Sequence, residues 1–420
     1  MATEVHSQVV EKTKRARQAA ARLGLMSRAD KDRLLLLMAD ALEANSQAIL
    51  EANAGDVKQA KERGQSRAPI DRLLVNGKRV REMAEGLRDI AALPDPVGEV
   101  IEGRRLPNGL ELTKVRVPIG VVGIIYESRP NVTVDAAGLC LKSGNAVVLR
   151  GGSDALGSNL ALVRVLNEAG IPAGLPEGAI EIIETTDREA AAELMRLDQY
   201  LDVLIPRGGA DLIRRVKQES TVPVIETGEG NCHIYVDASA RLDQAEEIVV
   251  NAKCQRPGVC NAAETLLVHR EVAAQFLPRL GSRLAELGVE LRACQEARGL
   301  MPASVAATEE DWATEFLALI LAIRVVGSVE EAIAHISQYG TKHSEAIITQ
   351  DLENAQRFIR EVDAAAVYVN ASTRFTDGGQ FGMGAEMGIS TQKLHARGPM
   401  GLREMTSYRW VIVGEGQIRG

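Results

Sequence analysis

The sequence contains few aromatic residues. Phe, Trp and Tyr make up 3% of its 420 residues, so a core has to be packed mainly from Ala, Val, Leu and Ile. Hydrophobic residues nevertheless make up 45% of the chain and charged residues 25%, which is typical of globular proteins. Because the chain is too long for one ordinary core, we expect two domains of about 150–200 residues each.

An excess of basic residues is also missing. The formal net charge at pH 7 is −8, which argues against broad binding of nucleic acid, because such binding requires a basic face. An anionic ligand would have to be held by a local cluster of basic side chains. We therefore expect a small-molecule substrate and no nucleic-acid partner.

Signals for export, membrane insertion and zinc binding are missing as well. The stretch "MATEVHSQVVEKTKRARQAA" has no basic cap followed by an apolar run, and "VPIGVVGIIY", the most apolar stretch, is too short to span a bilayer. The cysteines are odd in number and scattered, which suits a reducing cytoplasm, and they lack zinc-like spacing. They are Cys140, Cys232, Cys254, Cys260 and Cys294. The expectation is a cytoplasmic protein with no membrane contact and no metal site.

Two different patterns precede residue 120. Apolar residues recur at helical spacing across residues 8–65, which predicts amphipathic helices. In residues 97–119, β-type residues lie on both sides of Asn108 and Gly109, and this dipeptide is a strong hairpin signal. A hairpin here would have no core of its own, so we expect it to pack on a neighbour.

Strand–turn–helix segments begin at residue 120. "GVVGIIY" and "NAVVLR" predict buried strands that are each followed by a helix, and "LDVLIP" with "RGGADLIRRVKQES" repeats the design. A second alternation of strands and helices runs to about residue 370. Such alternation implies parallel sheets with helices on both faces. The predicted fold class is α/β.

Two cysteines flank a Pro-Gly break in "NAKCQRPGVCNAAETLLVH", residues 251–269. Cys254 falls in the last turn of a predicted helix, where the negative end of the dipole disfavours a thiolate. Cys260 falls in a short loop before the predicted strand "ETLLVH". A thiol nucleophile needs help to ionise at pH 7, and Lys253 and Arg256 lie nearby in sequence. The residues alone leave Cys260 open as a nucleophile, a buried hydrophobe, or a disulfide or metal partner of Cys254.

The sequence around Cys260 resembles the nucleophile loop of the aldehyde dehydrogenase superfamily. "VPIGVVGIIYESRPN" with "SGNAVVLRGGSDA" resembles the first cofactor-binding strands, "IETGEGNCHIYVD" the Glu-centred strand, and "TEFLALILAIRVV" the Glu-Phe segment that holds the nicotinamide ribose. "AAAVYVNAS" and "QFGMGAEMGIS" resemble the last catalytic segments. Glu226 and Cys260 lie 34 residues apart, which is the superfamily's usual spacing. Together these motifs cover most of residues 115–400.

Residues 326–347, "VGSVEEAIAHISQYGTKHSEAI", are similar to the signature of the γ-glutamyl phosphate reductase family. "YESRPNVTVDA" also resembles this family, because generic aldehyde dehydrogenases favour Trp-Asn where this chain has Arg-Pro-Asn. The matching signature positions are Val326, Ala332, Ile333, His335, Ile336, Tyr339, Gly340, Thr341, His343, Ser344, Glu345 and Ile347. We interpret both signature histidines as structural hydrogen-bonding residues.

The resemblance implies NADPH-dependent reduction of L-glutamyl 5-phosphate to L-glutamate 5-semialdehyde, with release of phosphate, in proline biosynthesis. Cys260 is the implied nucleophile, which carries the glutamyl group as a thioester. The implied oxyanion donors are the Cys260 N–H and the Asn131 amide. Glu226 occupies the general-base position. Two roles stay open for it: a group that tunes the thiol or acts in the reverse direction, and a hydrogen-bonded scaffold.

The cofactor prediction depends on charge. Two Arg-Gly-Gly turns each lie between a predicted strand and a helix N-terminus, where N–H groups and the dipole favour phosphate. Arg150 with Ser153 can bind a 2′-phosphate, which favours NADPH over NADH. The predicted cofactor-binding residues are Arg150, Gly151, Ser153, Arg207, Gly208, Gly209, Glu315 and Phe316. The candidate substrate-binding residues are Ser128, Arg129, Lys253, Arg256 and Arg374.

The implied architecture is aldehyde dehydrogenase-like, with a Rossmann-type cofactor domain, an α/β catalytic domain and a β-hairpin oligomerisation element. The expected ranges are 1–96 and 120–228 with part of 371–397 for NADP binding, 229–370 for catalysis, and 97–119 with 398–420 for oligomerisation. The resemblance implies a homo-oligomer and leaves direct contact with glutamate 5-kinase open. The alternatives are another aldehyde dehydrogenase, including a CoA-acylating one, and a catalytically inactive binding protein.

Overall fold

The structure is a computed structural model that describes residues 2–65 and 67–419. Its helices in chain order are α1 (Ala2–Leu23), α2 (Arg28–Ala44), α3 (Ser46–Glu62), α4 (Arg67–Leu73), α5 (Gly77–Ala92), α6 (Pro130–Lys142), α7 (Leu156–Gly170), α8 (Arg188–Leu194), α9 (Ala210–Glu219), α10 (Leu242–Cys254), α11 (Arg270–Glu286), α12 (Gln295–Leu300), α13 (Val329–Tyr339) and α14 (Leu352–Glu361). Its strands are β1 (Val100–Arg105), β2 (Glu111–Pro118), β3 (Val121–Tyr126), β4 (Ala146–Gly151), β5 (Ile180–Ile182), β6 (Val203–Arg207), β7 (Cys232–Val236), β8 (Ala263–His269), β9 (Glu290–Ala293), β10 (Val305–Ala306), β11 (Ile320–Val326), β12 (Ser344–Ile348), β13 (Ala366–Val369), β14 (Ile389–Ser390), β15 (Gly398–Pro399) and β16 (Thr406–Val413). Within the described residues, every helix is too short or too polar to span a bilayer.

The chain divides into two compact units. The first unit contains the described residues up to Thr227, together with Gly382–Gly388 and the described residues from Met400 onward. The second unit contains Gly228–Phe381 and Ile389–Pro399. The first unit is therefore discontinuous in sequence.

A four-stranded parallel sheet forms the centre of the first unit, in the order β5-β4-β3-β6. Every residue of β3 is buried, as expected for a parallel strand that is covered by helices on both faces. The predicted strands "GVVGIIY", "NAVVLR" and "LDVLIP" are confirmed as β3, β4 and β6. Because the carboxyl ends of parallel strands meet at one edge, the turns that follow these strands lie along the same edge of the sheet.

The hairpin predicted at Asn108 and Gly109 is confirmed. Strands β1 and β2 pair antiparallel around it, and Gly109 has a φ of +87°, which glycine adopts without strain. Strand β16 pairs antiparallel with β2 and completes a three-stranded sheet. Large apolar side chains of β16 are exposed, including Trp410 at 41% and Ile412 at 58%.

The second unit contains a seven-stranded sheet in the order β10-β9-β11-β8-β7-β12-β13, whose neighbouring strands are all parallel. Alternate residues of β7 belong to different apolar clusters. Ile234 packs with Val249 and Phe276, which come from α10 and α11, whereas Tyr235 packs with Phe358 of α14. Because successive strand residues face opposite sides of a sheet, helices cover both faces, and the predicted α/β fold is confirmed for both units.

The segment around Glu226 differs from the predicted Glu-centred strand. Strand β7 begins only at Cys232, and an isolated bridge between Val224 and Leu204 is the sole β-pairing recorded around Glu226 in the described residues. Pro223 has no N–H to donate, and the glycines at 228 and 230 disfavour strand structure. Glu226 therefore lies in an irregular segment that precedes β7.

Candidate active site

Cys260 lies in the connection between α10 and β8, residues 255–262, which we call the nucleophile loop. The residue is half-buried. The thiol of Cys232 donates a hydrogen bond to the Cys260 carbonyl, with 3.1 Å between Sγ and O. Gly230 packs so closely on the same carbonyl that an added Cβ would overlap its oxygen. The backbone of Cys260 is therefore held by the segment just before β7, and only glycine leaves room at position 230.

Cys254 is the last residue of α10, as predicted, and burial raises the pKa of its thiol. A raised pKa keeps this thiol protonated at neutral pH, so it is a weak nucleophile. None of the five cysteines, all of which lie in the described part of the chain, forms a disulfide. Residues 2–65 and 67–419 contain no group of three potential metal ligands. Cys260 is consequently the better-placed candidate nucleophile.

Two arginines carry positive charge at the nucleophile loop, Arg256 within it and Arg374 against it. Burial lowers the pKa of Arg374, and the charge of Arg256 lowers it further. Nε of Arg374 donates to Oε1 of Gln255 at 2.8 Å, while the Asn261 amide donates to the Arg374 carbonyl at 3.4 Å. The structure thus brings the predicted substrate residues Arg256 and Arg374 together beside Cys260.

Lys253, in contrast, has no exposed ammonium group. Its side chain and that of Glu264 are both fully buried, and Nζ lies 2.5 Å from Oε2. Burial lowers the pKa of Lys253 and raises the pKa of Glu264 to about 7. The sequence predicts Lys253 as a substrate ligand, but the structure corrects this expectation, because its ammonium is enclosed and already paired.

Glu315 and Phe316, the predicted nicotinamide-ribose residues, lie in the segment that precedes β11. Oε1 of Glu315 accepts a hydrogen bond from the Gly230 N–H at 2.8 Å, and burial raises the pKa of Glu315. The guanidinium of Arg292 lies over the Phe316 ring, 5.0 Å from its centroid. Leu317, next in the chain, has a φ of +52°, a left-handed conformation that is uncommon for a residue with a side chain. The Gly230 contact links this segment to the nucleophile loop.

In the first unit, Arg150 ends the apolar run of β4. Its guanidinium donates only to carbonyl oxygens: Gly151 at 3.0 Å, Thr186 at 3.3 Å and Asp187 at 3.2 Å. Burial lowers the pKa of Arg150, and no carboxylate of the described residues lies within ion-pair distance of it. Ser153 is exposed at the start of the following turn. The charge of Asp187 still acts on Arg150, but a half-buried guanidinium with no carboxylate within ion-pair distance is suited to binding an anion.

The second Arg-Gly-Gly turn follows β6, and a carboxylate already lies at the helix N-terminus there. Oε2 of Glu127 accepts the Gly209 N–H at 3.0 Å. An added Cβ at Gly208 would lie 2.6 Å from Cδ of Glu127, and the Arg207 carbonyl accepts the Glu127 N–H at 3.0 Å. The sequence analysis missed Glu127. The available signal was its position directly after β3, the strand adjacent to β6.

The remaining first-unit candidates surround the start of α6. Ser128 Oγ donates to Asp154 at 3.4 Å, and Arg129 is the N-cap residue of α6. The Asn131 amide donates to Oδ2 of Asp135 at 3.0 Å, and burial raises the pKa of Asp135 to about 6. An amide nitrogen carries two hydrogens, so Asn131 keeps a second donor.

Glu226 also belongs to the first unit. Its Oε1 lies 2.9 Å from Nζ of Lys217, on α9. Glu226 is half-buried. The carboxylate is therefore held in an ion pair within this unit.

The signature histidines belong to a buried polar network in the second unit. His343 Nδ1 lies 2.8 Å from Ser344 Oγ and 3.7 Å from Cys232 Sγ. Burial lowers the pKa of His343 to about 4 and that of His335 to about 3. Both are neutral at pH 7, which agrees with their structural interpretation. The sequence analysis missed Cys232 as a hydrogen-bond donor to the Cys260 carbonyl, because only the fold brings the two together.

Comparison with known proteins assigns the fold and the family. The sequence profile that defines the aldehyde dehydrogenase family matches residues 2–298 and 300–411. This chain is 63% identical to the γ-glutamyl phosphate reductase of Moorella thermoacetica over 412 residues, which are 98% of this chain and 99% of the relative. It is 60% identical to the γ-glutamyl phosphate reductase of Heliobacterium modesticaldum over 415 residues, which are 99% of this chain and 100% of the relative. The crystal structure of γ-glutamyl phosphate reductase from Thermotoga maritima is 53% identical, with a TM-score of 0.96 over 98% of this chain and 100% of that one.

These matches extend over nearly the whole chain and agree with the parallel sheets of both units. The α/β fold is therefore of the aldehyde dehydrogenase type, as expected. The chain belongs to the aldehyde dehydrogenase family of oxidoreductases and, within it, to the γ-glutamyl phosphate reductases.

Proposed function

We propose that the chain reduces L-glutamyl 5-phosphate to L-glutamate 5-semialdehyde, with NADPH as reductant and release of phosphate, in proline biosynthesis. The observation that carries this proposal is the half-buried Cys260 in a loop fixed by Gly230 and flanked by Arg256 and Arg374. The relatives from Moorella thermoacetica and Thermotoga maritima carry the name of this reaction over full-length alignments.

The chemistry begins at the Cys260 sulfur. The thiolate attacks the acyl carbon, the bond from that carbon to the phosphate oxygen breaks, and inorganic phosphate leaves with the electron pair. Because an acyl phosphate is already activated, this step needs no strong acid. Reduction of the thioester gives a thiohemiacetal, and cleavage of its C–S bond then releases the aldehyde and restores the thiolate. Covalent catalysis divides one difficult step into easier ones.

The proposed oxyanion donors are the Cys260 N–H and the second amide hydrogen of Asn131. One such donor is typically worth about 10²–10³ in rate. Glu226 has less to do in the reductive direction, because no water needs to be activated. Its ion pair with Lys217 supports the scaffold role, and the tuning and reverse-direction roles stay open.

The residues of the first unit fit a nicotinamide dinucleotide with a 2′-phosphate. Within the described residues, the Arg150 guanidinium donates only to backbone carbonyls, and Ser153, three residues later in the chain, is exposed. At the start of α9 the Gly209 N–H already donates to the Glu127 carboxylate, so a phosphate could bind at Gly208 and Gly209 only if it replaced Glu127. When bound, NADPH supplies the hydride.

The substrate's carboxylate and phosphate need local cations, because the whole chain is acidic. We propose Arg256 and Arg374 for these groups, with Ser128 and Arg129 as further donors. Lys253 is left out, because it is enclosed with Glu264.

We further propose that the first unit binds the cofactor, that the second carries the nucleophile, and that the sheet of β1, β2 and β16 serves oligomerisation. The exposed apolar residues of β16 support the last assignment. Transfer of the substrate by direct contact with a glutamate 5-kinase stays a hypothesis.

The test uses the reverse reaction. The wild-type protein should sustain NADP⁺ reduction with glutamate 5-semialdehyde over many turnovers only when phosphate is present. Without phosphate a single turnover should leave the glutamyl group on Cys260, where a mass spectrum should show it. Cys260→Ala should abolish turnover, whereas Cys254→Ala should retain it. Turnover with CoA in place of phosphate, or an adduct on another residue, would contradict the proposal.

A further inference from the structure

The buried pair of Lys253 and Glu264 closes the base of the nucleophile loop. Lys253 is the penultimate residue of α10, and Glu264 is the second residue of β8. The ten residues between them include Cys260. Since both side chains are fully buried and their charged atoms lie 2.5 Å apart, the ion pair fixes the distance between the two ends of this loop.

The same carboxylate reaches a third segment. Oε1 of Glu264 accepts the Leu317 N–H at 3.2 Å, while Oε2 binds Lys253. Leu317 directly follows Glu315 and Phe316, and it is the residue with a positive φ. The hydrogen bond from its N–H therefore holds a strained turn in one position.

These contacts form a closed ring. Glu264 holds Leu317; Glu315 accepts from the Gly230 N–H at 2.8 Å; and Gly230 packs on the Cys260 carbonyl. The Glu315–Phe316 segment is thus attached at both ends to groups that also fix Cys260. A change at Glu264 is therefore expected to alter the distance between Cys260 and the Glu315–Phe316 segment.

Stability alone does not account for this arrangement. A buried ion pair is weak evidence for stability, because the cost of removing two charges from water offsets their attraction, and apolar pairs of similar volume are often as stable. Buried ionic groups are better explained where they enforce one particular geometry, and here the geometry concerns the sulfur and the predicted nicotinamide-ribose residues.

We propose that Lys253 and Glu264 are positioning residues that set the distance between Cys260 and the Glu315–Phe316 segment. This proposal rests on the proposed function, in which that segment holds the nicotinamide ribose. The pair makes no contact with substrate. It aligns the thioester carbon with the reduced cofactor, and a misplacement of about 1 Å at such a point costs about 10²-fold in rate.

The test separates positioning from stability with the double variant Lys253→Met/Glu264→Leu, which removes both charges and keeps the volume. Its melting temperature should stay within a few degrees of the parent's. The dissociation constant for NADPH, measured by nicotinamide fluorescence, should rise about tenfold, which is the loss of about one hydrogen bond. In the reverse reaction without phosphate, the burst of NADPH formation should slow about 10²-fold.

Two further measurements identify which step is slowed in the double variant. The burst of the double variant should show a larger isotope effect with semialdehyde deuterated at the aldehyde carbon, because hydrogen transfer has become limiting. Phosphorolysis of the preformed thioester should proceed at the parent's rate, since phosphate attacks the acyl carbon without the cofactor.

The matched control is Lys31→Met/Asp95→Leu, which removes an ion pair of the same 2.5 Å length in the first unit, with a buried lysine and a partly buried aspartate. It should leave the NADPH affinity and the burst unchanged. If the folded Lys253/Glu264 double variant keeps both values within about twofold, the pair is only structural and the proposal is wrong. Should that variant fail to fold, the NADPH affinity and the burst are measured on Glu264→Asp instead, with the same twofold limit. This substitution keeps the charge but withdraws the carboxylate from Leu317. A parent protein that needs no phosphate would instead overturn the proposed function.

Discussion

The two parallel sheets share a fold class, but their inner strands differ in what they bury. Strand β3, in the first unit, consists of six buried residues without a charge. In the second unit, β7, β8 and β12 bury His233, Glu264 and Glu345 near their N-terminal ends. These ends lie at the edge where the nucleophile loop enters β8.

The difference indicates how each unit supports its candidate site. In the first unit the central strand β3 is apolar, and the candidate ligand groups Arg150 and Gly209 lie at or just beyond strand ends, where their hydrogen-bond partners are backbone carbonyls and one carboxylate. In the second unit the sheet itself carries fully buried charges that hold the loop containing Cys260. We expect substitutions around the nucleophile loop to affect chemistry and those at Arg150 to affect the preference for the cofactor.

Gly230→Ala should give the largest effect. The added methyl overlaps the Cys260 carbonyl oxygen, so the loop has to move, and turnover in the phosphate-dependent assay should fall at least about 10²-fold. Gly258→Ala is the control, because its Cβ would lie 3.7 Å from the nearest atom, the Leu317 carbonyl oxygen. Parent-like turnover in Gly230→Ala would show that the loop is not held as described.

Protonation of His343 should destabilise the second unit in acid. Burial lowers the pKa of His343 from 6.5 to about 4. Between these two pH values, His343 is protonated in the unfolded chain but neutral in the folded unit. The contribution of His343 to stability is complete above pH 6.5 and falls as the pH approaches 4, by up to roughly 3 kcal/mol. Hydrogen exchange in β12 reports it, and His343→Gln should flatten the dependence whereas His6→Gln, on the surface, should not.

Asp135, in the first unit, should respond to pH in the opposite direction to His343. Burial raises the pKa of Asp135 from 3.8 to about 6, so the folded unit binds the proton more tightly than the unfolded chain. This contribution is complete below pH 3.8 and is lost as the pH rises through 6, by about 1–2 kcal/mol after allowance for partial exposure. Asp135→Asn should remove the loss, as measured by hydrogen exchange in α6. An unchanged dependence in this variant would contradict the assignment.

Arg150→Ala should give the smallest effect on turnover but a specific one. Loss of the guanidinium should lower the preference for NADPH over NADH, as a ratio of kcat/KM, by about tenfold, or about 1.4 kcal/mol. Arg164→Ala, an exposed arginine of α7 that pairs with Glu168, is the control. If the ratio is the same in both variants, Arg150 does not bind the 2′-phosphate.

Local patterns predicted most of the fold. The apolar runs of β3, β4 and β6 predicted buried strands, and the Asn108-Gly109 dipeptide predicted a hairpin. Each of these signals depends only on residues within its own segment. The strand expected around Glu226 did not form, because Pro223 and the nearby glycines outweigh a short apolar run.

The candidate site was only partly predictable. Cys260 follows from the end of α10 and from the family resemblance. The contact of Gly230 with its carbonyl, the carboxylate of Glu127 on Gly209 and the enclosure of Lys253 depend on segments that are distant in sequence. A basic residue next to a nucleophile resembles a substrate ligand until the fold reveals its partner.

Strand β16 has a consequence for biosynthesis. It pairs with β2, nearly 300 residues earlier in the chain, and the first unit also contains Gly382–Gly388 and residues from Met400 onward. During translation, all of β7 to β13 is therefore synthesised before the last segments of the first unit are available to complete it. The three-stranded sheet is a late event of folding, and until residues 406–413 emerge, the free edge of β2 is open to wrong partners or to chaperones.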